Sequence, residues 1–327
     1  MKRIACLIGV TAALASAPFM LGQEKHPFYN HSDTGEIIHV LPPQAALRSP
    51  HDTAPTIAPS IGQSAVYPAS YGAGNLFNHG GPQMTGAGVG FRAIYWNSTV
   101  ANANQTSLGY ADIKTQIDAF VDSFANGQTF SSTAPKSDDD YAVIQQYGTS
   151  KTPILSTLQR YGYFVDNQPT QNSITDSKIR QYLQGLFQSG QVQLYDNVVY
   201  GVYFPPGMKI SSGGMSCSSF CGYHGAFSYR GFAVKYAVFP YLNCSGCSIS
   251  GFSVADMLTI VTSHEIREAI TDPQLNSWYD AAGYEADDKC VWHNLYQTTS
   301  GFWVQPEYSN APITINGVAK PGCFVAR

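Results

Sequence analysis

Three residues of one segment, His264, Glu265 and Glu268, have the types and the spacing of a metal site. On a helix, residues four positions apart lie on the same face, so His264 and Glu268 can bind one metal ion through an imidazole nitrogen and a carboxylate oxygen. Glu265 lies one residue further round, where a metal-bound water would stand, and is a candidate general base. Zinc accepts this ligand set, although the carboxylate also admits manganese or calcium.

The same segment also fits a helix that binds no metal. An amphipathic helix with a charged pair four residues apart and a solvated histidine would give this pattern. However, Val254, Leu258 and Val261 recur on a face close to that of His264. The histidine would then lie at the edge of the buried stripe, and a buried ionisable group needs a partner such as a metal ion. The wider pattern therefore favours a metal site.

An acidic stretch about twenty residues after His264 supplies candidates for a third ligand. Glu285 and Asp288 both fall there, and a loop tied by a disulfide could deliver either of them. We expect Glu285 ahead of Asp288. A solvated acidic loop, or a structural calcium site formed by Asp280, Asp287 and Asp288, would account for the same residues.

His224 is the candidate for a second catalytic group. It stands in Cys221-Gly222-Tyr223-His224-Gly225, where a disulfide would hold it in place. There it would donate a hydrogen bond to a developing oxyanion or bind the metal, and a purely structural histidine is the alternative. Other chemistries lack their residues, because the sequence has no Gly-x-Ser-x-Gly elbow and no phosphate-binding glycine loop.

The elements that must position these residues alternate between strands and helices. Ser253, followed by Asp256 three residues later, predicts the start of the helix that carries His264, and Pro273 predicts its end. Apolar spacing predicts helices over 113–124 and 179–187, and runs rich in Val, Tyr and Phe predict strands over 91–96, 197–204 and 232–241. We therefore expect one α+β domain with a mixed sheet, a metal-site helix and a disulfide-tied C-terminal loop region.

The N-terminal residues predict export. Lys2 and Arg3 precede an apolar run over 4–15 that is too short to span a bilayer, and small residues follow it. We expect a signal peptide over residues 1–23, and hence a secreted protein without membrane insertion. Residues 24–74, rich in Pro, Ala, Ser and His, predict a linker or pro-segment that the fold does not need. The domain would occupy residues 75–327.

Cysteine usage agrees with export. Six cysteines would remain in the mature chain: Cys217, Cys221, Cys244, Cys247, Cys290 and Cys323. An even number in an exported chain predicts three disulfides, one of them between Cys290 and Cys323. The first four cysteines would otherwise suit a four-cysteine zinc site.

Short motifs over residues 78–323 together resemble the exordium-like, phosphate-induced protein family. They are Asn78 to Pro82 ahead of the strand ending at Trp96, Cys217 to Gly225, Cys244 to Cys247, and Thr271 to Pro273 with Trp278 after it. The resemblance implies an exported or cell-wall-associated protein. This sequence departs from the plant members at His264, Glu265 and Glu268, which resemble the metal helix of zinc metallopeptidases and imply a zincin-like domain.

These observations predict a secreted, zinc-dependent hydrolase of the metallopeptidase type that acts on peptides or proteins. Glu265 would be its base, calcium would be an additional structural ion, and zinc would be held by residues drawn from His264, Glu268, Glu285 and Asp288. The rival interpretation is a non-catalytic extracellular protein that binds cell-wall carbohydrate. Nucleic acid is excluded as a partner, because charged residues make up only 12% of the chain and its net charge of −4 leaves no polybasic surface.

Overall fold

The computed structural model describes residues 26–47, 55–59, 62–125 and 128–327, and the expected signal peptide over 1–23 lies outside them. The described chain is a mixed α+β structure. Its α-helices are α1 (Ser98–Ala101), α2 (Ile113–Phe124), α3 (Asp176–Ser189) and α4 (Val254–Thr271). Within these ranges, no helix combines the length and the apolar character that a membrane crossing requires.

The described strands run from the N-terminal segment to the C-terminus. They are β1 (Tyr29–His31), β2 (Ile37–Leu41), β3 (Ala65–Tyr67), β4 (Phe77–Asn78), β5 (Gly90–Tyr95), β6 (Gln159–Val165), β7 (Ser173–Thr175), β8 (Val198–Tyr203), β9 (Lys209–Ser211), β10 (Gly222–Tyr229), β11 (Phe232–Phe239), β12 (Trp278–Tyr279), β13 (Tyr296–Gln297), β14 (Trp303–Val304), β15 (Glu307–Ile315) and β16 (Val318–Val325).

The main sheet has seven strands in the order β1-β2-β10-β11-β8-β5-β6. Strands β11, β8, β5 and β6 are parallel, whereas β10 pairs antiparallel with both β11 and β2. Alternate side chains of β8 enter two cores: Val199 packs on the face covered by α2 and α4, and Val198 on the face covered by α3. The expected mixed sheet is confirmed.

Helix α4 is the central element of the core. Ser253 and Asp256 form the predicted capping box, and the helix ends at Thr271, with Asp272 as its C-cap directly before Pro273. It packs against α2, β10, β11 and β14, so all of its residues are buried. The interpretation of His264 as a solvated histidine is therefore wrong, because no side of this helix faces water.

Segment 24–74 was expected to be a linker or pro-segment, and the part of it that the structure describes contains strands. Strands β1 and β2 form a hairpin, and β2 pairs with β10 so that His39 lies opposite His224. Strand β3 likewise pairs with β16. The apolar run Ile37-Ile38-His39-Val40-Leu41 buries four of its five residues, and the flanking Pro- and Ser-rich residues hide this short strand in the sequence.

Three disulfides are confirmed: Cys217–Cys244, Cys221–Cys247 and Cys290–Cys323. The cysteines proposed for a zinc site are thus paired with one another. Two of the bridges tie the segment before β10 to the segment before α4. The third joins a 3₁₀ helix, Asp288–Cys290, to β16 and so fixes the C-terminal loop region.

Replacing Cys290 and Cys323 together by serine should lower the free energy of unfolding by about 4 kcal/mol, because the bridge closes a loop across a sequence separation of 33. Urea unfolding of the oxidised protein and of the double variant measures the difference. A loss below about 1 kcal/mol would mean that the unfolded chain is not constrained by this bridge.

Candidate metal centre

Five separate segments bring a group of ionisable side chains to one place in the core. Helix α4 carries His264, Glu265 and Glu268, and strand β10 carries His224. The remaining members are His39 on β2, Glu285 in the loop after β12, and Asp288 at the start of the 3₁₀ helix. Each of these seven residues has a relative exposure of 0%.

Four of these residues surround a common point. One ligand atom from each of His39, His264, Glu268 and Asp288 lies within 4.8 Å of the others. Glu268 Oε2 is 2.9 Å from His264 Nε2 and 3.1 Å from His39 Nδ1, and His264 Nε2 is 3.9 Å from Asp288 Oδ1. Ligand atoms of a tetrahedral zinc site stand about 3.3 Å apart, so the spacing suits one cation.

One side-chain atom of each of these four residues lacks a hydrogen-bond partner. Among the described residues, His39 Nδ1, His264 Nε2, Glu268 Oε2 and Asp288 Oδ1 are buried without a hydrogen bond. Glu268 Oε2 stands within ion-pair distance of both histidine nitrogens. Buried polar atoms left unpaired are costly, and a cation at their centre would satisfy all four together.

The other atoms of these side chains are held in place. Glu268 Oε1 accepts a hydrogen bond of 3.1 Å from the Asp288 amide, and Asp288 Oδ2 accepts one of 2.8 Å from the Glu285 amide. His39 Nε2 lies 3.0 Å from Asp288 Oδ2. Such outer hydrogen bonds fix the direction in which metal ligands point.

Gln305 controls the tautomer of His264. Its Nε2 lies 3.0 Å from His264 Nδ1 and donates to the Asp287 carbonyl at 2.9 Å. A cation on His264 Nε2 requires the ring proton on Nδ1. Gln305 would then rotate its amide so that Oε1 accepts a hydrogen bond from this N–H. In the present conformation Oε1 has no hydrogen-bond partner among the described residues. This rotation gives up the bond to Asp287.

The two catalytic candidates contact each other. His224 Nδ1 lies 3.1 Å from Glu265 Oε2, beside the four-residue group. Gly222, two residues earlier on β10, allows this approach, because a Cβ there would stand 2.5 Å from Val261 Cγ1 and 3.0 Å from Glu265 Oε1. The absence of a side chain at Gly222 thus lets α4 lie close to β10.

Glu285 and Asp288, the two candidates for the third ligand, occupy different positions. Asp288 joins His264 and Glu268, whereas Glu285 forms a group with His39 and His224, at 3.7 Å and 4.0 Å from their Nε2 atoms. The geometry therefore favours Asp288 as the third ligand, although Glu285 was expected ahead of it.

The acidic residues considered for calcium do not form one site. Asp280 binds Lys289 Nζ at 2.7 Å, and Asp287 pairs with Arg267. Their charges are thus compensated by cationic side chains. Of the three aspartates, only Asp288 belongs to the group with His39, His264 and Glu268.

The electric field of the cluster favours positive charge at the four-residue group. Burial alone would lower the pKa of both histidines there, but Asp288, Glu285 and Glu268 raise the pKa of His39 well above its usual value, and Glu268 raises that of His264 to about 9. Burial would raise the pKa of Glu268, yet His264 and His39 hold it below its usual range. A divalent cation can replace the two protons that these histidines attract.

The pKa values of the neighbouring pair, His224 and Glu265, are shifted in the opposite directions to those of the histidines and of Glu268 in the four-residue group. Burial and the nearby His39 lower the pKa of His224 to about 3, so its imidazole is neutral at physiological pH. Burial raises the pKa of Glu265 well above its usual value. A neutral histidine beside a carboxylate of high proton affinity is suited to moving a proton rather than to holding a fixed charge.

The cluster is closed to solvent in this conformation. Surface cavities of 390, 300 and 480 Å³ are each lined by other residues. Any reaction at these side chains therefore requires part of their cover to move.

Comparisons with family models, with curated proteins and with solved structures find no match for this chain. The resemblance to exordium-like proteins therefore stays a prediction.

Proposed function

We propose that the chain is a secreted, metal-dependent hydrolase of the peptidase type, with a zincin-like domain and with zinc held by His264, Glu268 and Asp288. The observation that carries the proposal is the convergence of these three unpaired ligand atoms beside Glu265 and His224 in one buried cluster. Three protein ligands with a base next to them are typical of catalytic zinc sites. The three disulfides are consistent with the secreted location.

The residues have separate roles in this reaction. Held by His264, Glu268 and Asp288, zinc would supply polarisation of the scissile carbonyl and acidify a water molecule. Glu265 takes a proton from that water as its oxygen adds to the carbonyl carbon, and passes the proton to the leaving amine when the carbon–nitrogen bond breaks. His224, neutral because its pKa is lowered by burial, donates from Nδ1 to Glu265 and holds its carboxylate in position.

A non-catalytic, carbohydrate-binding protein remains the second candidate, and two observations favour it. The complete burial of the cluster is what a structural metal site requires. In addition, His79 and Tyr279 stack with ring centroids 3.6 Å apart on the β4–β12 ribbon, where Phe77 is 55% exposed. Exposed aromatic rings of this kind can stack on sugars.

Zinc binding is the first test of the hydrolase. The purified full chain should bind one zinc ion, and His264→Ala or Glu268→Ala should lower zinc affinity at least ~100-fold, more than the loss of an outer hydrogen bond does. His79→Ala, which removes an exposed histidine outside the cluster, is the matched control and should bind zinc as the original chain does. Zinc retained equally in all four proteins would contradict the site.

Hydrolysis separates the two candidates. Cleavage of a denatured protein by the zinc-loaded chain is measured for the original sequence and for His39→Ala, which removes one side chain that covers the cluster. Cleavage that a chelator abolishes and zinc restores supports the hydrolase. Zinc binding without cleavage in both proteins would instead support a structural metal in a binding protein.

A further inference from the structure

His39 is the member of the cluster that comes from outside the C-terminal half of the chain. It lies on β2, 249 residues before Asp288, yet its ring is in contact with two carboxylates of the metal cluster. Its Nδ1 is 3.1 Å from Glu268 Oε2 and is buried without a hydrogen-bond partner among the described residues. The catalytic scheme proposed above gives His39 no part.

A catalytic zinc site leaves one position open for water, whereas a site with four protein ligands is closed. With His264, Glu268 and Asp288 as three ligands, His39 supplies the fourth ligand atom of the group. We propose that His39 is the fourth protein ligand of the metal, and that the β1–β2 hairpin thereby keeps the proposed hydrolase in a latent, closed form. The latency rests on the proposed function, whereas the assignment of His39 as a ligand does not.

The position of the ring supports a ligand. His39 Nε2 lies 3.0 Å from Asp288 Oδ2 and Nδ1 lies 3.1 Å from Glu268 Oε2, so both ring nitrogens face carboxylates of the four-residue group. A neutral histidine offers one ring nitrogen to a metal ion, and one nitrogen of His39 lies within 4.8 Å of the ligand atoms of His264, Glu268 and Asp288.

The hairpin also covers the loop that delivers the acidic residues. Phe28, fully buried between the strands and this loop, lies 5.3 Å from the ring of Tyr284, next to Glu285. His26 contacts the same ring at 4.6 Å. Strands β1 and β2 stand at the edge of the sheet, and β2 pairs with β10 over Gly222–His224. Displacement of the hairpin would leave the five strands from β10 to β6 paired and would uncover the cluster.

Cobalt(II) in place of zinc reports the coordination independently of catalysis. The original chain should give the absorption of a four-coordinate site that does not respond to added azide. His39→Ala should retain cobalt, and azide should then shift its spectrum, because the vacated position accepts a small ligand. If alanine at this position impairs folding, His39→Gln serves as the second variant, because it keeps a polar side chain of similar length. His31→Ala, an exposed histidine on the same hairpin, is the matched control and should behave like the original chain.

Hydrolysis should rise in the same variants. If an open form makes up ~0.1–10% of the original chain, removing His39 should raise the cleavage rate by ~10- to 1,000-fold, and added imidazole should reverse the gain by refilling the position. An azide response in the original chain equal to that of both His39 variants would overturn the ligand assignment. An opened spectrum without any hydrolysis would uphold His39 as a ligand and contradict the hydrolase.

Discussion

Glu265→Gln is expected to leave zinc bound and to lower hydrolysis by ~10²–10⁴-fold. Glutamine keeps the size of the side chain and its contact with His224 Nδ1, which lies 3.1 Å from Glu265 Oε2, but it cannot accept the proton of the attacking water. Glu265 stands beside the group formed by His39, His264, Glu268 and Asp288 but is not a member of it. Zinc content and kcat/KM are measured in the zinc-loaded His39→Ala background, where the site is expected to be open.

Variants of the two proposed ligands on α4 should behave differently from Glu265→Gln. In the same background, His264→Ala or Glu268→Ala should lose the zinc itself, because two remaining protein ligands seldom hold it. Equal loss of zinc from all three variants would mean that Glu265 is a ligand. The structure offers such an arrangement, since ligand atoms of His224, Glu265 and Glu268 also lie within 4.8 Å of one another. The general-base mechanism would then be wrong.

Helix α4 could be predicted from the sequence because its signals are local. The capping box at Ser253, the stop at Pro273 and the four-residue spacing of His264 and Glu268 act within a few turns of one helix. The strands β5, β8 and β11 are similarly marked by short runs of Val, Tyr and Phe, because they are buried on both faces of the sheet.

His39 could not be predicted because its role depends on long-range pairing. The register of β2 against β10 places it opposite His224, and no local pattern encodes which strand becomes the neighbour of β10. One signal was available: an apolar run of five residues interrupted by a single histidine, which is costly to bury without a partner. The surrounding Pro- and Ser-rich composition masked it.

The choice between Glu285 and Asp288 depends on tertiary contacts as well. Both lie in the loop between β12 and the Cys290–Cys323 disulfide, and sequence distance from His264 fits either of them. The conformation of that loop is set by Lys289, which binds Asp280 at 2.7 Å, and by Arg267 of α4, which holds Asp287. These contacts turn Asp288 towards the ligand atoms.

Arg267 should be among the most important residues for stability. Its guanidinium is fully buried and donates to Asp287, to the Asp140 carbonyl and to the Gln305 carbonyl, with 3.0 Å to each carbonyl oxygen. Its Nε also lies 3.4 Å from Glu307 Oε2. Arg267→Met should lower the free energy of unfolding by ~3–5 kcal/mol, because it leaves two buried carboxyl groups without their cation. Urea unfolding at neutral pH measures this loss.

Arg160→Met is the matched control. Arg160 pairs with Asp118 at 3.2 Å and Asp122 at 2.6 Å, but its side chain is 35% exposed, so we expect a loss below about 1 kcal/mol. Adding Glu307→Gln to Arg267→Met should recover part of the lost stability, since glutamine is buried without either a cation or a bound proton. No recovery would show that the loss comes from packing alone.

The loss in Arg267→Met should also depend on pH. Burial and the nearby Asp287 raise the pKa of Glu307 well above its usual value even with Arg267 present, and removal of the guanidinium should raise it further. The folded variant then holds a proton that the unfolded chain has released above pH ~4.3, so its free energy of unfolding falls as pH rises from about 5 to about 8. The difference between Arg267→Met and the original chain should therefore be larger at pH 8 than at pH 5. A difference that stays constant over this range would mean that removing Arg267 changes the protonation of neither Glu307 nor Asp287, and that Arg267 stabilises the fold through its bonds to the two carbonyl groups.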